Sequence, residues 1–273
     1  MNYLDYYGFK FQPFGLTVDD RFYYESDQHS RALIKLRHVV DERRGLGLLV
    51  GEPGTGKTTL ARKMLDSLED DQFESAMLVV IHNAITSEWI LKKMAVHLGV
   101  QAIPEEKTEL STALYNRLAE IYETGKKAVV LIDEAHMLQA KEVMDVFRGL
   151  LNIEIDGQSL ISFLFFGATD LDTYLSKDKP LKQRVAVRLE LKCLNEEATA
   201  SYIMYRLKVA GGNREMFTQG ALDTIYRCSE GIPRVINIIC DNGFLEGFLQ
   251  KKSKKQIDAE MIEQVASDLG FVT

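Results

Sequence analysis

The chain has 273 residues, 46% apolar and 27% charged, enough to bury a substantial core, and this usage excludes collagen-like, disordered and low-complexity classes. Thirty-three Lys and Arg against 40 Asp and Glu leave a net charge of −7, which argues against a generic polyanion binder and confines any nucleic-acid contact to a local basic patch. The three cysteines lack CxxC spacing, so neither a disulfide framework nor a zinc site is indicated and a reducing cytoplasm fits best.

Residues 1–26 are rich in aromatics, among them Tyr3, Tyr6, Tyr7, Phe9, Phe11, Phe14 and Phe22. Two readings are open: core packing, or a clasp over adenine or a neighbouring subunit. The N-terminus has no basic segment leading into an apolar one, and no apolar run approaches the ~18 residues that cross a bilayer, so export and membrane spanning are not expected. From Leu46 onward short apolar runs alternate with helix-period stretches. Leu46–Val50, Ala76–Ile81, Ala128–Ile132 and Leu160–Phe166 read as buried parallel strands with crossover helices, and Val185–Leu191 alternates as a strand with one wetter face does. After Asn195 the pattern is helical only. Asn195, Thr218 and Asp258 are expected N-caps, Pro233 suits a first helical turn, and Ile257 with Ile262 forms a hydrophobic staple. The expected organisation is a lead-in (1–39) packed on the core, an α/β domain with a central parallel sheet (40–192), and a small helical lid (193–273).

Gly51-Glu52-Pro53-Gly54-Thr55-Gly56-Lys57-Thr58, followed by Thr59, matches GxxxxGK[ST] between a strand and a helix. The glycines let backbone N–H groups curl round phosphates, Lys57 reaches the terminal phosphates, and the Thr58 hydroxyl is placed to ligate Mg²⁺ at a helix N-terminus. The strand Ala128–Ile132 runs into Asp133-Glu134. Asp133 is expected in the Mg²⁺ shell beside Thr58, and Glu134 is expected to polarise the attacking water. A strand lies between the two motifs, as in the P-loop class that includes AAA+ and RecA-like ATPases. Asp133-Glu134-Ala135-His136 also spells the DEAH of some helicases, but those need two motor domains, for which a single P-loop in 273 residues leaves no room.

The opening Phe14-Gly15-Leu16, Asp20-Arg21-Phe22-Tyr23, the P-loop, Asn152-Ile153-Glu154, Gln183-Arg184, Tyr202 to Gly211 and Gly231-Ile232-Pro233-Arg234 together resemble the ExeA/GspA group of AAA+ ATPases over nearly the whole chain. The resemblance implies an ATP-dependent homo-oligomer, ring or filament, whose site is shared between subunits. Residues 179–192 hold five basic residues against Glu190, and Arg184 corresponds to the arginine donated to the neighbour's site, with Arg188 as second choice. Arg234 corresponds to the sensor-2 arginine. Sensor 1 falls near Ala168, where the group usually has glutamine, and Thr169 is the substitute expected here. Asn83 is placed either to restrain Glu134 or to cap a loop.

The resemblance further implies a secretion or cell-envelope assembly partner and a cytoplasmic location, at the inner face of the membrane through that partner. Group members commonly continue into a membrane span and a peptidoglycan-binding domain, and neither occurs before Thr273. The rival reading is a regulator similar to TnsC or TniB, oligomerising on DNA. Its basic candidates are Lys251 to Lys255, Lys92-Lys93 and Lys126-Lys127, none interleaved with aromatics. The five histidines show no ligand spacing, so ATP and Mg²⁺ are the cofactors expected and no other metal is.

Overall fold

Five parallel strands carry the first of two units: β1 (Leu46–Gly51), β2 (Phe73–Val79), β3 (Lys127–Asp133), β4 (Ile161–Gly167) and β5 (Val185–Leu191), in the order β2-β3-β4-β1-β5. The computed structural model describes residues 2–250 and 255–271. Strands β1, β3 and β4 are buried on both faces, with alternate residues serving different cores. Leu48, Val130 and Phe163 pack with helices Ser87–His97, Lys107–Glu123 and Lys141–Leu151. Leu49, Leu131 and Leu164 pack with Asp27–Asp41 and Lys57–Asp66. The result is the three-layer α/β arrangement that near-continuous apolar strands require. Among the described residues, no helix is long and apolar enough to cross a membrane.

The sheet edges differ in detail from expectation. β2 begins at Phe73 rather than Ala76, because its ladder to β3 starts at the Phe73 and Lys127 pair and so admits the polar Glu74 and Ser75. It ends at Val79, and Ile81 is exposed. β5 shows the expected wet face: Val185, Val187 and Leu189 are half-buried while Ala186, Arg188 and Glu190 are exposed. A hairpin of Glu154–Ile155 with Gln158–Ser159 was not expected. Its turn residues Asp156 and Gly157 have φ of 53° and 74°, the Asp-Gly signature of a two-residue hairpin loop.

The helical unit contains Glu196–Ala210, Gln219–Ser229, Pro233–Leu249 and Ala259–Asp268. Asn195 accepts from Ala198 N–H at 2.8 Å, Thr218 from Ala221 N–H at 3.1 Å and Asp258 from Met261 N–H at 3.1 Å. Pro233 occupies the first turn of its helix, and Ile257 and Ile262 are both buried.

The lead-in is not one element and does not pack as expected. Residues 2–26 cluster with the helical unit, whereas Asp27–Asp41 is a helix of the sheet unit. The reason is the aromatics: Tyr7, Phe9, Phe14 and Phe22 are buried in one core with Phe217 and Phe244. Arg206, 7% exposed, fastens the segment. Its guanidinium donates to the carbonyls of Pro13 at 2.6 Å and Gly15 at 3.3 Å and to the Tyr202 hydroxyl at 3.0 Å, and lies 4.8 Å from the centre of the Phe22 ring. Tyr202 in turn donates to Asn237 Oδ1 at 2.9 Å. Lys255 sits over the Tyr6 ring at 4.6 Å, while the rest of that basic cluster, 251–254, lies outside the described residues.

Arg206→Met keeps the apolar stem but strands these acceptors, so a loss of about 2 kcal/mol is expected in urea unfolding, with faster proteolysis within residues 10–22. Unchanged stability together with unchanged proteolysis would show that the aromatics alone hold the segment.

Candidate nucleotide site

The P-loop leaves β1 at its carboxyl end and enters the helix Lys57–Asp66. Gly54 and Gly56 adopt φ of 86° and 104°, the left-handed backbone that curls the loop. Lys57 is 7% exposed, and its ammonium donates to the carbonyls of Gly51 and Glu52 at 3.0 Å each. The Thr58 hydroxyl donates to Asp133 Oδ2 at 2.8 Å, joining two motifs 75 residues apart. Asp133 is buried at the end of β3, and its other oxygen accepts from Glu134 N–H at 3.0 Å.

Glu134 itself has φ 55°, and its side chain is 42% exposed. An amine, a hydroxyl and a carboxylate thus converge beside a loop of backbone donors. This donor set fits a triphosphate with a hard, oxygen-seeking divalent cation such as Mg²⁺.

The remaining expected residues fall into separate places. Thr55 is buried, Glu52 and Pro53 are exposed, and Thr59 is partly buried in the first turn of its helix. Thr169 is exposed beyond β4, where its carbonyl accepts from Asp172 N–H at 3.4 Å. Asn83 is exposed after β2. Arg234 is exposed at the start of Pro233–Leu249, and its N–H donates to the Gly54 carbonyl at 3.3 Å.

Arg184 immediately precedes β5, 45% exposed, and donates to Asn152 Oδ1 at 2.6 Å with Glu154 3.9 Å away. Arg188 is held by two oxygens' worth of charge: it bonds Asp172 through both Nε and Nη2 and lies 3.5 Å from Glu190. Hydrogen bonding to Asp172, reinforced by Glu190, raises its pKa above the ordinary arginine value. Asn152 and Glu154 stood in the sequence without an assigned task, and the structure sets them against Arg184. His136, passed over with the helicase spelling, lies against Glu134 and the end of β4.

A parallel sheet in this order, with a phosphate loop after β1 and an Asp-Glu pair after β3, defines the P-loop ATPase fold with an inserted strand. Residues 40–175 match the AAA domain, and this segment belongs to that family. The chain is 31% identical over 259 residues to General secretion pathway protein A of Aeromonas hydrophila, an alignment that takes in 92% of this chain but only 46% of that protein. Similar solved structures include the Aeropyrum pernix ORC2 protein in ADPNP–ADP complexes (TM-score 0.67, 15% identity, 95% of this chain and 72% of that one). Drosophila ORC bound to DNA matches with TM-score 0.71 at 15% identity, over 94% and 64% of the two chains. At such identities these two speak for the AAA+ fold.

Proposed function

We propose that the chain binds ATP with Mg²⁺ and hydrolyses it to drive assembly or remodelling of a partner complex. The observation that carries the reading is the 2.8 Å contact of Thr58 with Asp133, beside buried Lys57 and followed at once by Glu134. In this reading the backbone donors of residues 51–59 and the Lys57 ammonium bind the phosphates, and Thr58 and Asp133 hold the cation. Bound Mg²⁺ supplies charge neutralisation at the phosphoryl group. Glu134 takes the proton of the attacking water, Thr169 orients that water, Arg234 contacts the terminal phosphate, and Arg184 serves the site of a neighbouring copy.

Likeness to General secretion pathway protein A supports a secretion or cell-envelope partner, engaged from the cytoplasmic side. A second reading is favoured by one observation: the ORC neighbour is bound to DNA. Net charge −7 weighs against it.

One set of measurements tests both. Phosphate release should require Mg²⁺, and light scattering of Glu134→Gln should rise with ATP as a larger species forms. Anisotropy of labelled duplex should change little at near-physiological salt. Phosphate release indifferent to chelator, or scattering indifferent to ATP, would defeat the proposal. Submicromolar, ATP-dependent and salt-sensitive duplex binding that weakens on neutralising Lys251, Lys252, Lys254 and Lys255 would put the DNA reading in its place.

A further inference from the structure

Glu134 is fixed at its backbone and loosely held at its side chain. Its N–H donates to Asp133 Oδ1 at 3.0 Å, its carbonyl accepts from Met137 N–H at 2.9 Å, and its φ of 55° is left-handed for a residue with a Cβ. Its carboxylate has one polar partner among the described residues, His136 Nδ1, 3.4 Å from Oε2. The same Nδ1 lies 3.3 Å from the Ala168 N–H at the end of β4. The imidazole is 17% exposed and therefore held in place by its surroundings. Gly167 shows how closely the two segments approach: a Cβ there would stand 3.1 Å from His136 N and 2.9 Å from Leu171 Cδ2.

A single ring nitrogen stands between a donor and an acceptor. With the proton on Nε2, Nδ1 accepts from Ala168 N–H; with it on Nδ1, the ring donates to Glu134. Nδ1 makes one of these bonds at a time, and the form with the proton on Nδ1 holds the carboxylate. In both states packing seats the residue against the end of β4, which leads into Thr169: a Cβ on Gly167 would also stand 3.5 Å from His136 Cβ.

We propose that His136 is a positioning residue for hydrolysis, locating the Glu134 carboxylate relative to the end of β4. The inference rests on the ATPase reading above and adds to it the group that holds the base. A general base must sit within hydrogen-bond reach of the proton it takes, and a displacement of about 1 Å can lower the rate about a hundredfold. Binding should be indifferent, because the polar partners of His136 Nδ1 are Glu134 and Ala168, and neither makes a nucleotide contact in that reading.

The test compares wild type, His136→Ala and His136→Gln in Mg²⁺-dependent phosphate release and in binding of a fluorescent ATP analogue. His136→Ala should lower kcat about 10- to 100-fold, with KM and analogue affinity within about twofold of wild type. His136→Gln should recover to within about threefold, since its amide oxygen can accept from Ala168 N–H while its amide nitrogen donates to Glu134.

His136→Ala at wild-type kcat, or Gln as slow as Ala with binding intact, overturns the inference. A parallel loss of affinity in both variants also overturns it, since that marks a merely structural role. Wild type that releases no phosphate would instead strike the ATPase reading itself, a pattern distinct because all three proteins would then be equally inactive.

Discussion

Lys57→Ala should bind ATP about a hundredfold more weakly than wild type, whereas Glu134→Gln should bind it normally and turn over about a thousandfold more slowly. Lys57 opens the helix Lys57–Asp66 and Glu134 follows the end of β3, and the two differ in what they can contribute. Lys57 is buried with its ammonium against two P-loop carbonyls, so it is already desolvated and aimed into the loop that would receive phosphate. Its removal takes away the charge that offsets the triphosphate in ground and transition states alike, and affinity must fall. The Glu134 carboxylate is 42% exposed, with His136 Nδ1 3.4 Å from its Oε2. Gln keeps its shape and its hydrogen bond but cannot take a proton from water. Analogue titration and phosphate release separate the two effects, and an equal loss of affinity in both variants would remove the division of labour assigned to them.

The central strands were legible because each is apolar on both faces: Leu46–Gly51, Lys127–Asp133 and Ile161–Gly167 depart from expectation by a residue or so at their ends. The edges were less so, since the start of β2 depends on a ladder to Lys127 that no local pattern announces. The helices after Asn195 were readable from their caps, which act within three residues.

The lead-in was not readable, because nothing local distinguishes an aromatic segment packed on the sheet from one packed under Phe217 and Phe244. At the candidate site the same division holds. The P-loop is contiguous, and Asp133-Glu134 follows a recognisable strand, so both stood out. His136 did not, although it lies two residues from Glu134, because its meaning comes from Ala168 across the sheet. The pairing of Arg184 with Asn152 likewise joins residues 32 apart in the chain, which no local pattern announces.

Arg184→Ala should bind nucleotide as wild type does and lose about a thousandfold in turnover, and mixing it with Lys57→Ala should restore part of that turnover. The argument begins with register. β5 runs parallel to β1 with Val185 opposite Leu46, so Arg184 lies at the amino end of the sheet while the P-loop leaves β1 beyond Gly51. Five residues at about 3.3 Å each separate those levels by about 17 Å, farther than an arginine side chain spans. Arg184 therefore cannot serve its own P-loop in this conformation, and a catalytic part for it requires a second copy. Asn152 and Glu154 hold its guanidinium at the surface, 45% exposed, ready for such a neighbour. Arg188 is the weaker choice because Asp172 and Glu190 already engage it, and Arg188→Ala should change turnover far less. In a mixed assembly the Lys57→Ala subunit still offers Arg184 to the intact P-loop of an Arg184→Ala neighbour, which is why activity should return. If co-assembly is confirmed and no mixing ratio recovers turnover, Arg184 supports the hairpin at Asn152 and Glu154 rather than the chemistry of an adjacent site.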